Sequence, residues 1–209
     1  MPEPSTPARR KRDATATRSA ILASARSAFA RGGYDGAGVR EIAENAGVTA
    51  MMVNRYFGSK ERLFGEVIAQ IMAEPSILTR ANIESEDFAA RIAATLVDIT
   101  RAGATPLDGF LIMLHSASSQ PAADIGREQI ERHYHRILTA ALDGDLAPQR
   151  AGVILAVVAG FQVMRQLMGL SALAGADPGD LARILEPLFR QLLQAPPKGR
   201  RPPAKRRAT

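Results

Sequence analysis

The stretch Val39–Lys60, VREIAENAGVTAMMVNRYFGSK, constrains the fold more than any other part of the chain. Val39, Ile42, Ala43 and Ala46 recur at the spacing of one buried helical face. Gly47 follows, a residue suited to the left-handed geometry that ends a helix. Thr49 is placed to N-cap a second short helix, Ala50–Phe57. That helix buries Val53 and Phe57, four residues apart, and turns Met51, Met52, Asn54, Arg55 and Tyr56 toward other surroundings. Ala43 and Gly47 supply small side chains where the two helices touch, and Val53 closes the small core. Two short helices joined by a tight glycine turn form a helix-turn-helix, whose second helix enters the DNA major groove.

The flanks extend this pattern. Ile21, Leu22, Ala25, Ala28 and Phe29 lie on one face of an upstream helix that stops at Gly32-Gly33. Downstream, Ser59 caps a helix carrying Lys60, Glu61, Leu63, Phe64 and Val67. In Ile21-Leu22, Ala25, Phe29, Gly33-Tyr34, Val39, Ile42-Ala43, Ala46-Gly47-Val48, Phe57 and Ser59-Lys60 the sequence resembles the TetR family of bacterial transcriptional repressors. The resemblance covers roughly Arg18 to Val67; beyond it, the chain matches only in its layout as a helical body. It implies an all-α fold, with a three-helix head joined by a fourth helix to a ligand-binding and dimerisation body.

Charge is distributed accordingly. Residues 1–65 hold 11 Lys/Arg and 6 Asp/Glu, residues 66–195 hold 10 and 15, and residues 196–209 hold 6 and 0. A basic head suits phosphates and an acidic body does not. The absence of cysteine excludes a disulfide framework and a thiolate metal site. The charged, proline-containing N-terminus carries no apolar signal segment. The longest apolar stretch, Arg150–Arg165, is too short for a membrane span, so a cytoplasmic protein is expected. Residues 1–14, with the run Arg9-Arg10-Lys11-Arg12, read as a disordered basic arm. Such an arm either lies along phosphates or the minor groove, or is a solvated tail.

The DNA-binding set is Arg40, Thr49, Ala50, Met51, Met52, Asn54, Arg55, Tyr56 and Lys60. Thr49 and Ala50 sit at the helix start, which points into the groove. Arg55 supplies charge, and the Tyr56 hydroxyl is a phosphate donor. Met51 and Met52 either press on thymine methyl groups or are partly buried against the first helix. The resemblance implies that Arg40 reaches a guanine edge or a phosphate, and that Lys60 binds a phosphate aided by the positive helix end. It also marks two departures. Gly38 stands where the family usually has a capping, phosphate-touching Ser or Thr, and Asn54 stands where it commonly has Tyr. Asn54 can donate to a phosphate or read adenine.

The fourth helix, Ser59–Ala73, ends at Pro75. In the family it is the lever by which a ligand changes the spacing of two heads. Further helices are expected over Glu86–Arg101, Leu107–Ser118, Ala122–Leu142, Gln149–Leu173 and from Asp177-Pro178 to Gln194, the last kinked or broken at Pro187. The middle of Gln149–Leu173 is so apolar that it must be buried on most sides. The resemblance implies that the last two long helices form a homodimeric four-helix interface, where Gly152, Ala156, Ala159 and Gly160 permit close approach.

The expected boundaries are a head over 15–62, an effector-binding and dimerisation body over 63–195, and a disordered basic tail over 196–209. Candidate effector-lining residues are Phe110, Met113, His115, Tyr134, Phe161, Gln162 and Arg165, with Arg165 or His115 meeting an acidic or carbonyl group of a hydrophobic small molecule. The histidines His115, His133 and His135 make no metal set, since Glu131 and His135 lack a third ligand. No phosphate loop or nucleophile elbow is present, so neither a cofactor nor an enzyme is expected. The resulting reading is a homodimeric repressor of a near-palindromic operator, released by a small-molecule effector. A nonspecific or architectural DNA binder, and a metabolite-binding body with a vestigial head, are the alternatives.

Overall fold

The computed structural model describes residues 7–73, 77–103 and 108–195. Pro75, the basic tail and the start of the basic arm lie outside them. All regular structure among the described residues is helical. The helices are α1 (Pro7–Gly36), α2 (Val39–Asn45), α3 (Ala50–Phe57), α4 (Lys60–Ala73), α5 (Arg80–Ile83), α6 (Phe88–Ile99), α7 (Asp108–Ser116), α8 (Gln120–Ile130), α9 (Arg136–Ala140), α10 (Ala147–Gln162), α11 (Ser171–Ala174) and α12 (Pro178–Leu193). They divide into two compact units, one holding residues up to 76 and 105–133, the other 77–104 and 134 onward.

The first unit contains α1–α4, α7 and α8. Its core takes Ile21, Leu22, Ala25 and Phe29 from α1, Ile42 and Ala43 from α2, Val53 and Phe57 from α3, and Leu63, Phe64, Val67 and Ile68 from α4. Phe29, Tyr34 and Phe64 form an aromatic trio, with Phe64 edge-on to Phe29 at 5.0 Å and to Tyr34 at 5.2 Å. The unit is larger than the three-helix head because α7 packs along α1. Gly33 makes that approach possible. It interrupts α1 with φ 65°, and a Cβ there would lie 2.4 Å from the His115 carbonyl oxygen. The Tyr34 N–H then donates to Ser116 Oγ in the buried contact (2.9 Å), and Ser119 Oγ donates to Asp35 (3.2 Å).

The second unit is built on α6 against α12. Ile92 and Leu96 of α6 pack with Leu181, Leu185 and Phe189 of α12, Ile154 of α10 and Leu138 of α9. Two buried arginines cross-link it. Arg150 donates to the carbonyls of Asp143, Asp145, Leu192 and Leu193, capping the C-terminal end of α12. Arg165 donates to Val97 O (2.6 Å), Thr100 Oγ1 (3.0 Å) and Leu173 O (3.2 Å), joining α6 to the chain around α10 and α11.

Several elements differ from the sequence expectation. α1 begins at Pro7, so part of the 1–14 stretch expected as a disordered arm is helical: proline suits a first helical turn, and the Ala-Arg-Arg-Lys-Arg run after it favours helix. The expected helix over Ala122–Leu142 is α8 and α9 joined by a π turn at Glu131–His135. The expected helix over Gln149–Leu173 is α10 followed by a π turn at Val163–Leu167; Gly169, with φ 62°, then breaks it before α11. Pro187 does not break α12, which runs from Pro178 to Leu193. Pro187 is exposed, so the Arg183 carbonyl that loses its donor can turn to water. The short α5 has no periodicity to announce it.

The apolar stretch also departs from the sequence expectation. The helix Ala147–Leu167 has 21 residues and a mean hydropathy of 1.3 in its best window, long and apolar enough by length and composition to cross a membrane. The stretch is thus not too short, because the helix extends past the apolar run. Nor is it buried on most sides: Val153 and Met164 are 47% and 48% exposed.

Candidate nucleic-acid interface

The turn between α2 and α3 is fixed by its own hydrogen bonds. The Gly47 N–H donates to Glu44 O (3.0 Å) and the Val48 N–H to Ala43 O (2.9 Å), which satisfies the last carbonyls of α2 in a Schellman arrangement. This needs a left-handed residue, and Gly47 has φ 68°. Thr49 then caps α3, its Oγ1 accepting from the Met52 N–H at 3.3 Å. Gly38 caps α2 in extended geometry with no side-chain bond, as the missing hydroxyl requires.

With its rotation set, α3 points Val53 and Phe57 into the core at 2% and 4% exposure. The opposite face carries Met51, Asn54 and Arg55, all exposed. Met51 is 81% exposed, the most exposed large apolar side chain described. The two methionines therefore part company, since Met52 is half-buried. Ala50 and Tyr56 are also half-buried and pack on the core. Thr49 is exposed, with its hydroxyl engaged in the cap. Arg40 is exposed in the first turn of α2, beside Glu41, which pairs with Arg31 at 2.6 Å.

Lys60 opens α4. The Ser59 hydroxyl accepts from the Arg62 N–H (3.3 Å), and the free N–H groups of the first turn add positive potential there. Lys60 Nζ stands 4.6 Å from the centre of the Tyr34 ring. The Tyr34 hydroxyl donates to Glu61 Oε1 at 2.9 Å. Burial, that hydrogen bond and the Glu61 charge push the Tyr34 pKa up to about 12. Glu61 is held below the usual carboxylate range, first by hydrogen bonding from Ser59 and from the backbone, then by Tyr34. Arg18 ties α3 to its neighbours: its guanidinium lies over the Phe57 ring at 5.0 Å and pairs with Glu66. The sequence marks Tyr34 only as part of the Gly33-Tyr34 motif and gives no contact for it or for Arg18, because their partners come from distant helices.

The candidate effector residues fall in both units. In the first, Phe110 and Met113 are half-buried on α7, while His115 is exposed and donates Nδ1–H to the Ala30 carbonyl (2.9 Å). In the second, Phe161 and Gln162 are half-buried at the end of α10 and Tyr134 within the first π turn. Arg165 is buried, with its guanidinium 5.8 Å from the Phe161 ring centre. Burial lowers its pKa, and Arg101 adds to this. His135 is bound by the Pro148 carbonyl, which accepts from its Nε2 at 2.9 Å. Among the described residues no group of three His, Cys, Asp or Glu could hold a metal ion.

Residues 21–67 match the family described as bacterial regulatory proteins, tetR family, and residues 86–193 match the tetracyclin repressor-like C-terminal domain. The chain belongs to the TetR family. It is a TetR-type DNA-binding transcriptional regulator with a helix-turn-helix head and a helical body. Solved structures agree in fold. A TetR-family regulator from Streptomyces coelicolor A3 is 25% identical with a TM-score of 0.57, over 86% of this chain and 95% of that one. FadR from Bacillus subtilis, in complex with stearoyl-CoA, is 17% identical with a TM-score of 0.63, over 81% and 96%. NalD, the secondary repressor of the MexAB-OprM multidrug efflux pump in Pseudomonas aeruginosa, is 20% identical with a TM-score of 0.60, over 86% and 96%. No curated protein matches the chain.

Proposed function

We propose that this TetR-family regulator is a repressor that binds a near-palindromic operator as a homodimer and leaves it when a hydrophobic small molecule binds the body. The observation that carries the DNA-reading half is the face of α3: a helix locked by Val53 and Phe57 that holds Met51, Asn54 and Arg55 in solvent. Arg55 supplies charge, Asn54 a polar reader, and Met51 an apolar surface for thymine methyls. Arg40, Thr49, Ala50, Met52, Tyr56 and Lys60 complete the interface within a head over residues 15–62. Ala50 and Tyr56 contribute their edges, since each is partly committed to the core, and Met52 contributes the part left open by its half-burial.

The dimer proposal rests on α10 and α12. Val153, Ala156, Gly160 and Met164 form one exposed stripe along α10 and its π turn, and Ile184 and Leu188 form another on α12, at 68% and 41% exposure. A Cβ added at Gly152 or Gly160 would meet nothing within 4 Å, which leaves room for close approach by a second copy. Apolar stripes of this kind are an interface signal. Each subunit then reads one half-site, with the spacing set by the dimer.

For the effector, Tyr134, Phe161 and Gln162 remain the proposed lining within the second unit, and Phe110 and Met113 remain separate candidates within the first. The roles given to Arg165 and His115 change, because both are already bonded to backbone carbonyls. FadR in complex with stearoyl-CoA, and NalD as the repressor of an efflux pump, support an apolar effector and a repressor role. The DNA half is tested by selecting bound fragments from sheared genomic DNA at about 150 mM salt, where nonspecific attraction is weakened. One enriched near-palindrome is the expected outcome. Uniform recovery of all fragments would replace this reading with an architectural one.

A further inference from the structure

We infer that Tyr34 is a positioning residue for DNA binding: its ring forms the platform that holds Lys60 at the head's phosphate-facing edge. The inference deepens the proposed function and rests on the reading of Lys60 as a phosphate contact. Lysine is a flexible point charge that loses much rotamer freedom when it is fixed on a phosphate. A surface that confines Nζ before DNA arrives reduces that loss. The Tyr34 ring face is such a surface, with Nζ 4.6 Å from its centre, within cation–π range.

The platform is rigid from every side. Tyr34 is 6% exposed. Its ring stacks at 6.3 Å on Phe29 and meets Phe64 edge-on at 5.2 Å. Its hydroxyl is fixed to Glu61, the residue next to Lys60, and its N–H is fixed to Ser116 Oγ at 2.9 Å. The Gly33 break turns the chain at this point, and the His115 backbone fills the space a side chain on Gly33 would need. Glu61 could instead have drawn Nζ toward itself along the helix edge. The Tyr34 hydroxyl and the Ser59 hydroxyl hydrogen-bond that carboxylate, leaving the ring face to the lysine.

The test uses the full-length protein and the operator recovered by selection, with Tyr34→Leu, Tyr34→Phe, Lys60→Ala and the Tyr34→Leu/Lys60→Ala double variant. The readout is the dependence of log K on log salt, which counts phosphate contacts and is not moved by a loss of folded protein. Lys60→Ala is expected to flatten the slope by about 0.9 per head. Tyr34→Leu should flatten it in the same direction and weaken binding about fivefold. Tyr34→Phe keeps the ring and leaves Ser59 on Glu61, so its slope should lie closer to wild type than that of Tyr34→Leu. The double variant should match Lys60→Ala alone.

If Lys60→Ala flattens the slope and Tyr34→Leu does not, the positioning role is overturned while Lys60 keeps its contact. If Lys60→Ala leaves the slope unchanged, both the contact and its platform are overturned. A second measurement needs no leucine variant to fold. In wild type the Lys60 Hε resonances, assigned by their loss in Lys60→Arg, should be shifted upfield by the Tyr34 ring. Random-coil values there would also overturn the inference.

Discussion

In α3 the face turned away from the core is mixed, with Met51 between the polar Asn54 and the charged Arg55. Along α10 and the π turn after it the face turned away from the core is apolar, with Val153 and Met164 in solvent, and on α12 Ile184 and Leu188 are exposed among the charged Asp180, Arg183 and Arg190. The first face meets water at little cost and also suits a charged, hydrogen-bonding groove. The second exposes surface worth about 25 cal/mol per Å² on burial, a standing drive toward a partner. The head thus turns a groove-suited face to solvent, while the body leaves apolar side chains for the proposed partner. Surface chemistry, more than helix content, separates the face proposed to read DNA from the face proposed to pair.

The comparison breaks most sharply in the cores. Phe64 is fully buried between Phe29 and Tyr34, so Phe64→Ala should cost about 4 kcal/mol by urea denaturation and abolish operator binding. In the body, Arg150→Ala should cost about 3 kcal/mol, because several backbone carbonyls lose a charged donor together. Near-neutral stability in either variant would mean that the packing described is not what holds its unit.

Alkaline pH gives a narrower test within the head. The Tyr34 pKa is raised to about 12 in the fold against roughly 10 when unfolded. The folded state therefore favours the neutral hydroxyl. That contribution is fully present below about pH 10 and is lost as pH rises through about 12. Stability of wild type should fall more steeply than that of Tyr34→Phe across this window. On the acid side, Asp87 in the body is held below its usual range by Arg190 and then by the Ala90 N–H. Its contribution is present above the unfolded value near 3.9 and is lost as pH falls through the lower folded value. The smallest effect belongs to Leu146, an exposed residue at φ 60° that begins α10. Leu146→Gly should gain about 0.5 kcal/mol in thermal denaturation, since only left-handed strain is removed.

The sequence showed the head well because its signals are local. Gly47, Thr49, Val53 and Phe57 specify a turn, a cap and a buried face within a dozen residues, and each is found in that role. The Met51–Met52 pair stayed open because helical spacing alone does not say which side chain the core will take. Lys60 was legible, but its platform was not: Tyr34, Glu61 and Ser116 come together only when α1, α4 and α7 pack. The two π turns carry no simple periodic mark, so each long body helix reads as one regular helix, and the second also reads past the break at Gly169. Arg165 read as an anchor for a ligand because a lone arginine in an apolar helix invites one. Its acceptors, Val97 O and Thr100 Oγ1, lie on α6 and at its end, far away in sequence.

The central claim is that the body completes itself by pairing, and sedimentation equilibrium of the full-length protein at micromolar concentration tests it most directly. Wild type should sediment at twice the 22.4 kDa chain mass. The Ile184→Glu/Leu188→Glu variant should sediment as a single chain, with a midpoint of thermal unfolding that no longer depends on protein concentration. A wild-type protein that stays at the single-chain mass would contradict the account. So would a double variant that remains dimeric, because the exposed stripe would then not be the interface.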